Sequence, residues 1–67
     1  MKVRLLNSGG YAGMDNVKFP VVVDADGCSG NMCEVSGGEL INAGAYAYAW
    51  DESHLYTFCE DEFEVIE

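Results

Sequence analysis

Residues 56–67 read YTFCEDEFEVIE, and the fold turns on how this stretch is divided. Tyr56, Phe58, Phe63, Val65 and Ile66 suit a sheet core, while Glu60, Asp61, Glu62, Glu64 and Glu67 put carboxylates into the same run. Apolar and polar residues that alternate mark a strand with one buried face. The polar cluster EDE interrupts that alternation as a turn would. LYTFC (55–59) therefore reads as a strand, EDE (60–62) as a turn and FEVIE (63–67) as a second strand. The chain is expected to end in a terminal β-hairpin with an apolar inner side and an acidic outer side.

Working back from there, DESH (51–54) reads as a turn. AYAYAW (45–50) is ambiguous: a strand would put Tyr46, Tyr48 and Trp50 on one face, whereas a helix would unite Tyr46 with Trp50. An irregular or extended segment is expected. In VSGGELINAGA (35–45), Ser36 and Glu39 have the spacing of a capping box, and Val35 and Leu40 the spacing of a hydrophobic staple. A helix should start there and end by Gly44, after two turns at most. MCEV (32–35) is a short strand and DGCSGN (26–31) a turn. KFPVVVDA (18–25) is the strongest strand, its consecutive valines suggesting burial on both faces and its Pro20 belonging at an edge or near the start. Val3 to Leu6 is β-prone, and the glycine-rich NSGGYAGMDN (7–16) is a loop between strands. About five short strands with one short helix imply a mainly β fold, a small SH3-like barrel. A two-layer α+β arrangement is the rival.

With 67 residues there is room for a single domain, 1–67, whose small core leaves roughly 3 to 5 kcal/mol of net stability. At 49% hydrophobic the chain is too apolar to stay disordered. The charge is lopsided, with 12 acids, 3 bases and a formal net of -9. Lys2, Arg4 and Lys18 all lie in residues 1–18, which carry a net +2, so residues 19–67 carry -11. Such a field repels phosphate, which disfavours direct binding of nucleic acid or an anionic membrane and favours a basic protein surface. No run approaches the ~18 apolar residues of a membrane span. Three cysteines cannot all pair within one chain, and the start MKVRLLNSGG has no apolar signal core, so reduced thiols and a cytoplasmic location are expected.

Cys28, Cys33, His54 and Cys59 contain the ligand types of a tetrahedral zinc site, although the gaps are wider than structural zinc sites use. The alternative is that Cys59 is a small core residue, Cys28 a turn residue and His54 the start of a strand; this reading is preferred, and no cofactor is expected. DADG (24–27) starts like a calcium loop but has its glycine at the fourth position and Val35 at the twelfth, so it reads as a turn. Gly9, Gly10 and Gly13 lack the Gly-Lys-Ser/Thr ending of a phosphate loop. His54 has no marked partner among Ser8, Ser29, Ser36 and Ser53, and a non-enzyme is expected. The aromatics outnumber what so small a core readily buries, and tyrosine and tryptophan favour interfaces. Tyr46, Tyr48 and Trp50, with Asp51, Glu52, Glu60, Asp61, Glu62 and Glu64, form the expected partner-binding surface. An ordinary solvated face that keeps a tiny domain soluble explains the same residues.

Through MKVRLLNSGGY, VKFPVVVDA, EVSGGELINAGA and FCEDEFEVIE, the whole chain resembles the small acidic accessory proteins of tailed bacteriophages. The resemblance implies action in a bacterial host cytoplasm, by binding a host or phage protein that handles nucleic acid. One form of that action is mimicry of nucleic acid by carboxylates. A zinc-stabilised domain and a small-ligand binder using the glycine-rich loop are the alternatives.

Overall fold

A computed structural model describes residues 1–47 and 50–66. Six short strands form two antiparallel three-stranded sheets. Strands β1 (Lys2–Leu5), β2 (Val21–Asp24) and β6 (Phe63–Val65) make the first, in the order β2-β1-β6. Strands β3 (Gly27–Ser29), β4 (Met32–Ser36) and β5 (Leu55–Cys59) make the second, in the order β3-β4-β5. One helix, α1 (Gly37–Asn42), follows β4. The expected mainly β class holds, as a bent two-sheet arrangement whose barrel is not closed.

The terminal hairpin does not form. β5 pairs with β4, and β6 pairs with β1, so the two strands at the end of the chain lie in different sheets. A single 3-10 turn at Glu60–Glu62 carries the chain across. The Cys59 N–H donates to Glu62 Oε1 (2.9 Å) and the Leu6 N–H to the Glu62 carbonyl (2.8 Å), which fixes the crossing to β1. Alternation along residues 56–67 marks two strands correctly but carries no information about which strand each one joins.

The other crossing is a bend. The Ala25 N–H donates to the Met1 carbonyl in the first sheet, and the Asp26 N–H to the Glu34 carbonyl in the second. Residues 21–29 thus run as one extended segment from sheet to sheet. β3, expected to be part of a turn, is a strand because the reversal needs only Gly30 and Asn31. Gly30 has φ 61° and Asn31 a negative φ, as a two-residue II′ hairpin requires. β2 is an edge strand with one face on solvent, so Val22 is exposed and the expected burial of the valines on both faces fails. Pro20, joined to Phe19 by a cis peptide bond, stands just before β2 as expected.

Ser36 caps α1, its hydroxyl accepting from the Glu39 N–H (3.3 Å). The reciprocal half of the capping box is absent, because Glu39 Oε1 accepts instead from the Asp24 N–H of β2 (2.9 Å). That bond satisfies a donor on an edge strand and ties the helix to the first sheet. Gly44, at φ 124°, ends the helix with its N–H on the Ile41 carbonyl, and the Ala45 N–H bonds the Leu40 carbonyl. This is the paired bonding of a Schellman motif. Gly37 is required for space: a side-chain carbon there would run into the carbonyl of Asp51.

The core gathers Val3, Leu5, Val23 and Phe63 from the first sheet, and Cys33, Val35 and Phe58 from the second. Leu40 closes it from the helix. Met14 and Val17 are also buried, so the loop of residues 6–20 packs over the core rather than hanging free. Its Tyr11 hydroxyl donates to the Thr57 carbonyl (2.9 Å).

Candidate protein-binding surface

Charge is distributed by strand register. Lys2 stands opposite Asp24 and Arg4 opposite Glu64, and each pair forms a salt bridge, at 3.1 and 2.9 Å. Opposite charges at directly facing positions of an antiparallel ladder are the favourable arrangement. Both pairs lie on the outer face of β2-β1-β6, because Val3, Leu5 and Val23 turn inward. Setting these neutral pairs aside leaves ten carboxylates against Lys18 alone, so the whole net -9 falls on the rest of the chain.

The carboxylates expected to form one surface are separated. Glu60 and Asp61 are exposed on the 3-10 turn beyond β5. Glu62 is half-buried and committed to the Cys59 N–H, and Glu64 is committed to Arg4. Asp51 and Glu52 are exposed in the turn that precedes β5. β5 is five residues long, so the acidic groups at its two ends stand roughly 15 Å apart. They make two acidic ends rather than a continuous wall.

The turn before β5 is closed by the His54 N–H on the Asp51 carbonyl (3.1 Å). Asp51 Oδ1 accepts from the Ser53 N–H (3.0 Å) and the Ser53 hydroxyl (2.9 Å). These two bonds, the backbone one foremost, hold the Asp51 carboxyl below the ordinary aspartate value against an opposing desolvation effect, and the charge on His54 adds the smallest contribution.

Of the aromatics expected in the surface, Trp50 is interior. Trp50 is 8% exposed and belongs to the core, with its ring edge-on to Tyr11 (5.5 Å) and Tyr56 (4.3 Å). Tyr11 also meets Phe58 at 5.6 Å, and the His54 ring lies 4.6 Å from Tyr56. Tyr56 donates its position to the turn as well, its hydroxyl oxygen accepting from the Asp51 N–H (3.2 Å). The buried Trp50 Nε1–H has no acceptor among the described residues. Tyr46 is half-buried, with its N–H on the Gly13 carbonyl (3.0 Å). Tyr48, also expected in the surface, lies outside the described residues.

Cys28 and Cys33 face each other across the β3-β4 ladder and form a disulfide, which corrects the expectation of three reduced thiols. Cys59 is free and exposed, not a core residue. No group of three or more His, Cys, Asp or Glu side chains among the described residues is placed to hold a metal ion. The residues Cys28, Cys33, His54 and Cys59 are therefore not brought together as a ligand set. Gly9, Gly10 and Gly13 do adopt positive φ (65°, 83°, 84°), and Gly9 packs against Phe58, so the loop follows the core.

Sequence reading missed a groove on the outer face of β3-β4-β5, lined by Gly27, Cys28, Ser29, Met32, Glu34 and Thr57, with a volume of about 410 Å³. The alternation of MCEV already points Met32 and Glu34 away from buried Cys33 and Val35. What hid the groove was the assignment of residues 26–31 to a turn, which removed the strand forming one wall. No family model, curated protein or solved structure matches this chain.

Proposed function

We propose that this chain is a non-enzymatic binding module that engages a basic protein surface. One observation carries the reading: Lys2 and Arg4 are held in cross-strand pairs on one sheet, which leaves the net -9 unbalanced over the remaining surface. The exposed carboxylates at both ends of β5 would accelerate encounter with a cationic partner, and local contacts would set the lifetime of the complex. Nucleic acid and anionic membranes are disfavoured partners on the same electrostatic ground. No helix among the described residues is long and apolar enough to cross a membrane.

In the fuller form of this proposal the protein acts as a phage-type accessory factor in a bacterial cytoplasm, on a host or phage protein that handles nucleic acid. Reducing conditions there would open the Cys28–Cys33 pair. Affinity capture from bacterial lysate, followed by release with salt and competition with duplex DNA, tests it. Salt-labile capture of a basic protein is expected. Capture that salt leaves unchanged would overturn the electrostatic reading, and failure of DNA to compete would remove the mimicry of nucleic acid alone.

A further inference from the structure

We propose that the groove on β3-β4-β5 is a pocket for an arginine side chain of the basic partner; this rests on the function proposed above and specifies its contact. The register builds the site. Gly27, Glu34 and Thr57 face one another in a single cross-strand row, and Ser29, Met32 and Cys59 form the next row on the same face. Five of these six residues line the groove. The central carboxylate is therefore flanked by a residue with no side chain and by a hydroxyl, with the thioether arm of Met32 alongside.

Three features select the occupant. First, the Glu34 carboxylate has no hydrogen-bond or ion-pair partner among the described residues, and the two paired cations lie on the other sheet. Second, Met32 is 45% exposed and offers an apolar wall to the methylene stem of a long side chain. Third, the absence of a side chain at Gly27 leaves a flat floor of backbone and sheet edge. Together these fit a planar guanidinium, which bonds a carboxylate through two parallel N–H groups while its stem covers apolar surface. The volume of about 410 Å³ falls within the range of small-ligand sites. Glu60 and Asp61 follow directly after Cys59, which faces Met32 of the groove, so one of the two acidic ends adjoins the site and would steer an approaching cation to it.

The test is a titration of the full chain, followed by amide chemical shifts, with a capped Gly-Arg-Gly peptide. Its citrulline counterpart has the same shape without the charge, and its lysine counterpart has the charge without the fork. Saturable shifts at Gly27, Glu34 and Thr57 are expected with the arginine peptide, and none with citrulline. Glu34→Gln should weaken binding on the order of tenfold by removing the charged acceptor. Gly27→Val should abolish it by filling the floor while leaving the charge intact. The position tolerates a side chain, since an added carbon there meets nothing within 4 Å, and valine suits a strand. Unchanged thermal melts confirm that both variants fold. Wild-type affinity in Gly27→Val, or shifts spread evenly over all carboxylates, would overturn the pocket. Equal affinity for the lysine peptide would overturn the guanidinium assignment. A double variant, Glu60→Gln with Asp61→Asn, separates the two proposals. If it abolishes capture of a basic protein while Gly27→Val does not, the charged surface acts without the groove.

Discussion

The sheet β2-β1-β6 and the sheet β3-β4-β5 solve the same packing problem with opposite surfaces. The first sets each of its two cations directly across from an acid, although Arg4 and Glu64 are 60 residues apart in the chain, and its outer face is electrically balanced. The second has no ion pair among its described residues; it is tied by a disulfide and by the Tyr11 ring packed on Tyr56 and Phe58, and its outer face leaves Glu34 unneutralised. The lesson is that a net charge of -9 says little about any one face. Strand register decides where the charge is cancelled, and among the described residues it is cancelled on one sheet only. The covalent and aromatic reinforcement falls on the other.

The largest test of that division concerns the core. Phe58 and Leu5 are both fully buried, one in each sheet. Phe58→Ala should cost about 3 to 5 kcal/mol, and Leu5→Ala about 2 to 5. Phe58 also supports the Tyr11 ring and the packed Gly9, so its loss should be the greater. For a chain whose net stability is roughly 3 to 5 kcal/mol, that is the whole margin. Thermal melts followed by circular dichroism should show no cooperative transition in Phe58→Ala and a lowered but cooperative one in Leu5→Ala. The reverse order would break the comparison.

The disulfide comes next. Cross-linking residues five apart should contribute about 2 kcal/mol through the unfolded chain. Reductant should therefore lower the melting temperature of the native chain and leave a Cys28→Ala, Cys33→Ala variant unmoved. Thiol titration of the unfolded chain should count one reactive group before reduction, Cys59, and three after. Three before reduction would show that the second sheet stands without its covalent tie.

Local pattern made most of the strands legible but not their partners. LYTFC is the strand β5 at both of its ends, and Ser36 and Gly44 bound the helix as capping chemistry requires. Those features depend on residues within a few positions of one another. Pairing of β6 with β1 spans nearly the whole chain, and nothing in FEVIE distinguishes an adjacent partner from a distant one. Aromatic content beyond what a small core readily holds points Trp50 towards an interface. The packed loop around Tyr11, Met14 and Val17 enlarges that core enough to take it in. Glu39 shows the same limit on a smaller scale. Its spacing suits the helix cap, but an edge strand offers its carboxylate a stronger claim through the Asp24 N–H.

A smaller effect belongs to the ion pair on the balanced sheet. Arg4 and Glu64 are about half exposed, so a double-mutant cycle through Arg4→Ala and Glu64→Ala should return a coupling below about 1 kcal/mol. Added salt should reduce it further. A coupling of several kcal/mol would mean that the pair holds β6 in place instead of merely neutralising its face.

The smallest effect lies at the Asp51 turn, where the second sheet stabilises a carboxylate without an adjacent Lys or Arg. The Ser53 N–H and hydroxyl both donate to Asp51 Oδ1, and the His54 charge adds to them, so the carboxyl titrates below the ordinary 3.8. A depressed folded-state pKa contributes stability that is present above the unfolded value and is lost as pH falls through the folded one. The turn should therefore loosen only under acid conditions, and full exposure of the side chain keeps the change in melting temperature slight. A carboxyl-detected pH titration reads the bonds directly: the Asp51 midpoint should lie under 3.8 in the native chain and move upward in Ser53→Ala. Removing the hydroxyl leaves the backbone donor, the larger influence, in place, so the return should be partial. Complete return would assign the shift to the hydroxyl, and a native midpoint at the ordinary value would mean that the turn leaves this carboxylate to solvent like its unpaired neighbours.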